Sequence, residues 1–445
     1  MICRFKITKS SNQEISKFVN SSHALSESIR ARYFADAMRL DPSVFDLPVV
    51  ELRRGYRSGV YFWRTKRILE QDNRHVRCLM QIFQKKEKAI VCGTDEAVAI
   101  LKTASGYYKN AEAVYPLFDR YVELKKIIRQ QLAVHDYDGY LKSTAERTEL
   151  IRKLDDLWVS KFSELDVRSL SDGEALGGWE TALTIEGDLS YFAHLESVYL
   201  GVLARRTKVA SNTRAVVEAA KGKPVLFFAD RFDHFAAQGG DGYASMIGGA
   251  VGVATDAMAA WYGDRGLGTM PHALIAAYDG NTVLATEKFA RYIPGVPVIS
   301  LVDFDNNSPA TSVAVARKLG EKLWGVRLDT SETIIDYSLA AEAGGRSGEA
   351  EAKLRGVNPS LVLKVRESLD KEGFQHVKIV VSGGFNPDKI KWFEESKVPV
   401  DSYAVGSWIL TGSFDFTADV VMVEGKPVAK VGREYRPNAR LKRVE

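Results

Sequence analysis

The chain has 445 residues, 45% of them hydrophobic and 27% charged, and its 61 Lys and Arg against 57 Asp and Glu leave a net charge of +4. That length accommodates about two or three domains, and the weak, interspersed charge excludes nucleic acid or a membrane surface as the main partner. Three scattered cysteines, Cys3, Cys78 and Cys92, form no metal or disulfide pattern, which fits a reducing cytoplasm.

Residues 1–45 are polar and helix-leaning ("ALSESIRARYFADAMRL") and read as an N-terminal helical extension. The start lacks the apolar core of a signal peptide, and no stretch approaches the ~18 apolar residues of a membrane helix. Residues 46–195 read as an α+β domain: strand-like "VRCLMQIF" and "KAIVCG", helical "TDEAVAILKTA" and "YVELKKIIRQQLA". We expect the C-terminal segment 412–445 to complete that domain.

Over residues 196–411 the pattern changes. Apolar runs, "PVLFFAD" (224–230), "VPVISLVDF" (296–304), "LWGVRLDT" (323–330), "VKIVVSGG" (377–384) and "SYAVGSW" (402–408), alternate with helical stretches. Runs without in/out alternation are strands covered on both faces, as in a parallel sheet. Ser308-Pro309, Asn358-Pro359 and Asn386-Pro387 each offer a cap residue before a proline at the first helical position. The expected fold is an α/β barrel, irregular and incomplete, beside an N-terminal α+β domain; an open doubly wound sheet is the alternative. Residues 340–353 read either as a solvated loop or as a mobile lid.

Barrel strands point their C-terminal ends at the active site. Here those ends carry Asp230-Arg231 with His234 following, Asp303 and Asp305, Arg327 and Asp329, Ser382-Gly383-Gly384, and Gly406-Ser407. Glycine turns leave backbone N–H groups free beside a helix N-terminus, which suits phosphate. The plainer reading of each turn alone is a capped helix start; two of them one β/α unit apart favour phosphate. Asp303 and Asp329 would hold sugar hydroxyls or a phosphate-bound Mg²⁺, or form salt bridges. Arg327 lies two residues before Asp329, on the same side of the strand. In "VASNTRAVVEAA" Arg214 is expected in the first turn of a helix, where a cation opposes the dipole unless it meets an anion. His234, next to Asp233, is either structural or catalytic. Thr269 and His272 in "GLGTMPHALIAAY" are further candidates.

"ASNTRAVVEAAKGKPVLFFADRFDH", "GTMPHALIAAY", "LWGVRLDTSE", "VSGGFNPDKI" and "YAVGSW", in this order, resemble the nicotinate phosphoribosyltransferase family, as do "GYRSGVYFWRTKRIL" (55–69) and the terminal "EGKPVAKVGR". The resemblance implies conversion of nicotinate and phosphoribosyl pyrophosphate to nicotinate mononucleotide and pyrophosphate, coupled to ATP hydrolysis, with Mg²⁺ on the substrate. It also implies homodimers with shared sites. It gives Tyr61 the role of stacking on the pyridine ring and Arg214 that of meeting the substrate carboxylate. His234 becomes the phosphorylated histidine; beside it, on its chemistry alone, Arg231 could hold the transferring oxygens. Arg327 and Asp329 hold substrate and ribose, and Gly383, Gly384, Gly406 and Ser407 surround the 5′-phosphate, with Ser382 of the same turn a candidate beside them. The chain departs at Ser58-Gly59-Val60, where many relatives have a Thr-Asp pair, and at Phe232, where many have a second Arg. The alternatives are a quinolinate or nicotinamide phosphoribosyltransferase of the same fold, and a non-catalytic nucleotide-binding barrel.

Overall fold

The computed structural model describes residues 39–344 and 348–445. The helical reading of residues 1–45 therefore lies, up to residue 38, outside the described residues. Pro42–Phe45 forms one 3-10 turn whose N-cap, Asp41, accepts from the Ser43 amide. Two compact units emerge, one of Arg39–Thr207 with Ser413–Glu445, the other of Lys208–Gly412.

The first unit is built on a six-stranded antiparallel sheet. Its central strand Arg77–Gln84 pairs with Phe416–Val423 on one side and Thr181–Asp188 on the other. Ile82, Leu183 and Ile185 from these strands pack with Val98 and Leu101 of helix Thr94–Ala104 in one core. That helix begins after Gly93, whose φ is +94°, so the cap comes from outside. Asp172 accepts both the amide and the hydroxyl of Thr94 at 2.8 Å. Helices Ala111–Ala133 and Tyr137–Leu157 share a smaller core around Phe118, Leu124, Leu150 and Leu154.

The second unit carries a six-stranded parallel sheet. Its strands in chain order are β1 (Val225–Phe227), β2 (Gly252–Val253), β3 (Val298–Leu301), β4 (Leu323–Leu328), β5 (Lys378–Val381) and β6 (Ser402–Val405). Their spatial order is β3-β4-β5-β6-β1-β2. Five of the six are the apolar runs of the sequence, and Val380, Val381, Tyr403 and Val405 are at most 1% exposed. Each such side chain contributes ~1.5–3 kcal/mol by leaving water. β2, only two residues long, carries no pattern that periodicity can register.

Helix starts follow their caps closely. Asn358 accepts from the Leu361 amide at the head of Pro359–Lys371, and Asn386 from the Lys389 amide at the head of Pro387–Glu395. The third expected cap is different. Helix Ser308–Leu319 starts after Asn307, which makes no side-chain cap bond. Ser308 donates its amide and hydroxyl to the buried Asp336 instead, at 2.9 and 2.8 Å. Residues 340–353 contain two one-turn helices, Ala340–Ala343 and Glu349–Ala352, with 345–347 outside the described residues. No described helix is long and apolar enough to cross a membrane.

Candidate functional site

Strand register fixes which polar ends become neighbours. Leu301 of β3 is level with Arg327 of β4, so Asp303 and Asp329, each two residues further on, emerge side by side. Val381 of β5 is level with Leu328, which puts Ser382-Gly383-Gly384 next to Asp329. β6 pairs with β5, and β1 pairs with β6 at Val405 and Phe227. The Gly406-Ser407 turn therefore stands between the Ser382 turn and the loop that follows β1. Parallel strands thus bring residues far apart in the chain to one rim.

At the centre is Arg327. Nη1 donates to Thr269 Oγ1 at 2.6 Å and Nη2 lies 3.5 Å from Asp329 Oδ2. Its Nε is buried without a partner. Burial lowers the guanidinium's pKa, the carboxylates of Asp329 and Asp303 pull it back up, and the charge of Arg231 adds to the lowering. Arg231 thus contributes positive potential at the same place.

Asp329 Oδ1 accepts from Ser382 Oγ at 2.8 Å. Asp303 is the more buried acid, its side chain 6% exposed, and Oδ2 lies 3.1 Å from His272 Nε2. Its other oxygen, Oδ1, is buried with no partner. Burial first, and the negative charge of Asp329 next, push the Asp303 carboxyl above the usual aspartate range, while His272 opposes the shift. An arginine, two carboxylates and a histidine, with donors and acceptors left over, make a site prepared to exchange contacts with a polar ligand.

The glycine turn has the backbone its composition demands. Gly383 and Gly384 have φ of +87° and +65°, a region that L side chains avoid. A Cβ on Gly384 would fall 1.6 Å from Glu332 Oε1. Lys389 Nζ donates to Gly383 O at 3.0 Å; burial lowers its pKa and Glu332 opposes the lowering. Glu332 and Lys389 are the two charged groups at this turn that sequence reasoning missed. Lys389 had left a signal, a cation in the first turn of a helix, where the dipole disfavours it.

At Gly406 a Cβ would meet Phe228 O at 2.5 Å and the Phe232 ring at 2.6 Å. The close approach of two segments of the chain thus requires glycine, and the ring of Phe232 lies against the second turn. Ser407 is exposed and opens the 3-10 turn Ser407–Leu410.

His234 is exposed and caps the 3-10 turn Phe235–Ala237; its Nδ1 accepts from the Ala236 amide at 3.2 Å. Asp233 Oδ1 accepts the backbone amide of His234 at 2.7 Å. The ring stacks on Phe235 with centroids 4.3 Å apart. Asp305 accepts from Thr311 Oγ1 at 2.9 Å.

Arg214 is not in a first turn. Helix Glu196–Ala219 begins eighteen residues earlier, and the apolar stretch before 209 continues it without a break. Arg214 is therefore in the C-terminal half of the helix, clear of both end turns. Its Nη2 reaches Ile247 O at 3.4 Å and its Nε is buried without a partner. Tyr61, in the first unit, lies in the first turn of helix Val60–Gln71 with its side chain 65% exposed. Among the described residues, no three His, Cys, Asp or Glu side chains gather to hold a metal.

No family model matches the chain. Over 277 residues it is 29% identical to the nicotinate phosphoribosyltransferase pncB1 of Mycobacterium tuberculosis, an overlap of 60% of this chain and 55% of that protein. With pncB2 of the same organism, also a nicotinate phosphoribosyltransferase, identity is 26% over 250 residues, covering 55% and 48%. The chain spans about half the length of the curated relatives it matches. Among solved structures, a nicotinate-nucleotide pyrophosphorylase from Pyrococcus furiosus is 29% identical, superimposes with a TM-score of 0.63, and covers 86% of this chain and 79% of its own. Human nicotinic acid phosphoribosyltransferase, 15% identical, shares the fold with a TM-score of 0.56 over 85% of this chain and 77% of its own.

Proposed function

We propose that the chain is a cytoplasmic nicotinate phosphoribosyltransferase that makes nicotinate mononucleotide and pyrophosphate from nicotinate and phosphoribosyl pyrophosphate. The observation that carries this reading is the row Asp303, Asp329, Ser382-Gly383-Gly384 and Gly406-Ser407 on consecutive strand ends, with Arg327 at its centre. The sequence relatives named above support the same chemistry.

The fold proposed with it is an incomplete barrel. β1 pairs with β6, so the first and last strands are neighbours, which an open doubly wound sheet does not require. Among the described residues no pairing joins β2 to β3, which leaves the ring of strands open there.

In the proposed reaction the pyridine nitrogen attacks C1 of the ribose. The C–N bond forms as the C–O bond to pyrophosphate breaks, and the electron pair leaves with pyrophosphate. The nitrogen is already a nucleophile, so no strong base is needed. Positive charge grows on the sugar and negative charge on the leaving group; Asp329 and Asp303 would face the first, and Arg327 and Arg231 the second. The 5′-phosphate would sit on the Gly383-Gly384 and Gly406-Ser407 turns. Arg214 would meet the nicotinate carboxylate, and Tyr61 remains the proposed stacking group within a homodimer. Magnesium fits this site as an ion brought on the substrate's phosphates, with Asp303 and Asp329 as carboxylates able to touch it. Its contribution would be to neutralise the departing pyrophosphate.

ATP coupling through a histidine is part of the proposal, and one observation bears on which histidine. His272 shares a carboxylate partner with the Arg327 cluster: its Nε2 lies 3.1 Å from Asp303 Oδ2, and in the tautomer that donates from Nε2 the lone pair is on Nδ1. The Nδ1 lone pair of His234 is occupied by the Ala236 amide. We therefore place the phosphoryl carrier at His272 ahead of His234.

The test is to incubate purified protein with phosphoribosyl pyrophosphate and each of nicotinate, nicotinamide and quinolinate, with and without ATP, and to identify the nucleotide by mass. Product from quinolinate alone, or from nicotinamide alone, would replace this reading with the corresponding transferase. Absence of any nucleotide would favour a binding barrel.

A further inference from the structure

We propose that the Arg39–Thr207 unit carries a second ligand site, centred on Arg54, for a small planar monocarboxylate. None of the residues assigned to the reaction takes part in it.

Residues 53–67 hold five arginines, of which Arg54 and Arg67 line the spaces at this place and Arg64 does not. Arg53 is paired with Asp155 at 2.6 Å, Arg57 with Glu51 at 2.6 Å, and Arg67 with Glu70 at 2.9 Å. Arg54 is different. Among the described residues its side chain has neither an ion pair nor a hydrogen bond, and aromatic rings surround it. Its guanidinium carbon is 4.4 Å from the centre of Tyr115, 4.7 Å from Trp63 and 5.5 Å from Phe118. Rings of this kind steady the charge, but they do not satisfy five N–H donors in a fixed fork. The Arg54 N–H groups are not among the buried unpartnered atoms, so they are open to water or to a ligand that replaces it.

Space for such a ligand exists. Arg54 lines a cavity of about 260 Å³ with Gly55, Tyr56, Phe118, Asp119 and Val122. It also lines a narrow cleft beside Trp63, Tyr108 and Tyr115. The Tyr108 hydroxyl is buried and has no partner; burial pushes its pKa up to about 12, so it stays a donor. At about 260 Å³ the larger space has room for one six-membered ring with its carboxylate. The wall chemistry agrees, with aromatic and aliphatic surfaces from Tyr56, Phe118 and Val122 and one planar cationic fork. Arg suits a carboxylate because both are planar and can pair through two parallel bonds. Asp119 in the same lining sets the charge limit, because a second negative charge on the ligand would face a carboxylate.

The experiment uses the full chain without phosphoribosyl pyrophosphate, with benzoate and inorganic phosphate as probes in calorimetric titrations. Benzoate should bind, and phosphate should bind more weakly. Arg54→Gln should weaken benzoate at least about tenfold, the loss expected for a charge-assisted pair. Asp119→Asn should tighten it about twofold or more by removing a like charge. Asp119 is exposed, so that variant should fold whatever becomes of Arg54→Gln, and its result decides the matter alone if Arg54→Gln does not fold. Four results overturn the assignment: no benzoate binding up to about 10 mM, binding unmoved in a folded Arg54→Gln, which would place benzoate elsewhere, binding unmoved or weakened in Asp119→Asn, or phosphate binding more tightly than benzoate.

Discussion

Ser382 Oγ stands 2.8 Å from Asp329 Oδ1 and 3.0 Å from Leu328 O, tying the glycine turn after β5 to the acid at the end of β4. The turn thereby holds the carboxylate proposed to face the ribose. Ser382→Ala removes that tether and leaves a partly buried carboxylate oxygen with one donor fewer, which costs ~1 kcal/mol of stability. The larger effect is expected in turnover, because Asp329 can then rotate toward Arg327. We expect kcat to fall roughly tenfold, about the same ~1.4 kcal/mol in the transition state, with little change in KM. A KM rise at constant kcat would make Ser382 a phosphate ligand alone.

Gly384 is the most constrained position of the turn. With φ at +65° and Glu332 Oε1 where a Cβ would stand, Gly384→Ala should cost about 1–2 kcal/mol in left-handed strain alone. Glu332→Ala in the same chain relieves the clash but not the strain. The double variant should recover part of the stability and none of the affinity for phosphoribosyl pyrophosphate. Full recovery of both would mean that the turn serves packing and not phosphate.

Asp303 supplies a pH prediction. Its carboxyl titrates above the ordinary range, chiefly because it is buried and because Asp329 repels its charge. A raised acid holds its proton more tightly in the folded chain than in the unfolded one. Its contribution is therefore fully present below the ordinary aspartate pKa of ~3.9 and lost as pH rises through the raised value. Asp303→Asn, which cannot ionise, escapes that loss. Its urea midpoint should exceed that of the native chain at pH 8 and approach it at pH 4, while activity falls. A variant less stable than the native chain at pH 8 would show that the His272–Asp303 pair outweighs the burial cost.

The parallel strands were legible because both their faces are buried. "VKIVV" and "SYAVG" cannot be half-exposed strands, and their order in the chain leaves few topologies. The rim acids, the paired glycine turns and the Asn-Pro helix starts were legible for the same reason, since each sits at a fixed offset from a strand or a proline. What escaped was decided by partners distant in the chain. Nothing near Ser308 announces that Asp336 will cap its helix, and nothing near Gly384 announces Glu332. Arg214 was misplaced because the helix containing it starts at Glu196, upstream of the segment that looked like a beginning. The pairing of His272 with Asp303 spans 31 residues and appears only once β3 has delivered the acid.

Arg214 tests the base site. If it neutralises the nicotinate carboxylate, Arg214→Ala should cost about 2–4 kcal/mol in the nicotinate term, because an anion is left unpaired. The Michaelis constant for phosphoribosyl pyrophosphate should move much less. Equal losses for both substrates would assign Arg214 to its contact with Ile247 O.

The sharpest comparison sets His272 against His234. Carrying a phosphoryl group requires a neutral imidazole with a free lone pair, a carboxylate to hold the ring, and cations close to the transferring oxygens. His272 has Asp303 on Nε2 at 3.1 Å, and Asp303 in turn shares its field with Arg327. His234 has the Ala236 amide on Nδ1 and Phe235 against its face. Glutamine at either position keeps polarity and cannot be phosphorylated. His272→Gln should abolish acid-labile label from γ-phosphate-labelled ATP and remove ATP stimulation, leaving a slow ATP-independent synthesis. General acid–base and nucleophilic groups of this kind contribute ~10²–10⁴-fold, and that is the range of the expected loss. His234→Gln should keep label and coupling within about a few-fold of the native chain, a change of under ~1 kcal/mol. If instead His234→Gln loses the label and His272→Gln keeps it, the exposed turn after β1 must rearrange on binding ATP, and the carrier is His234.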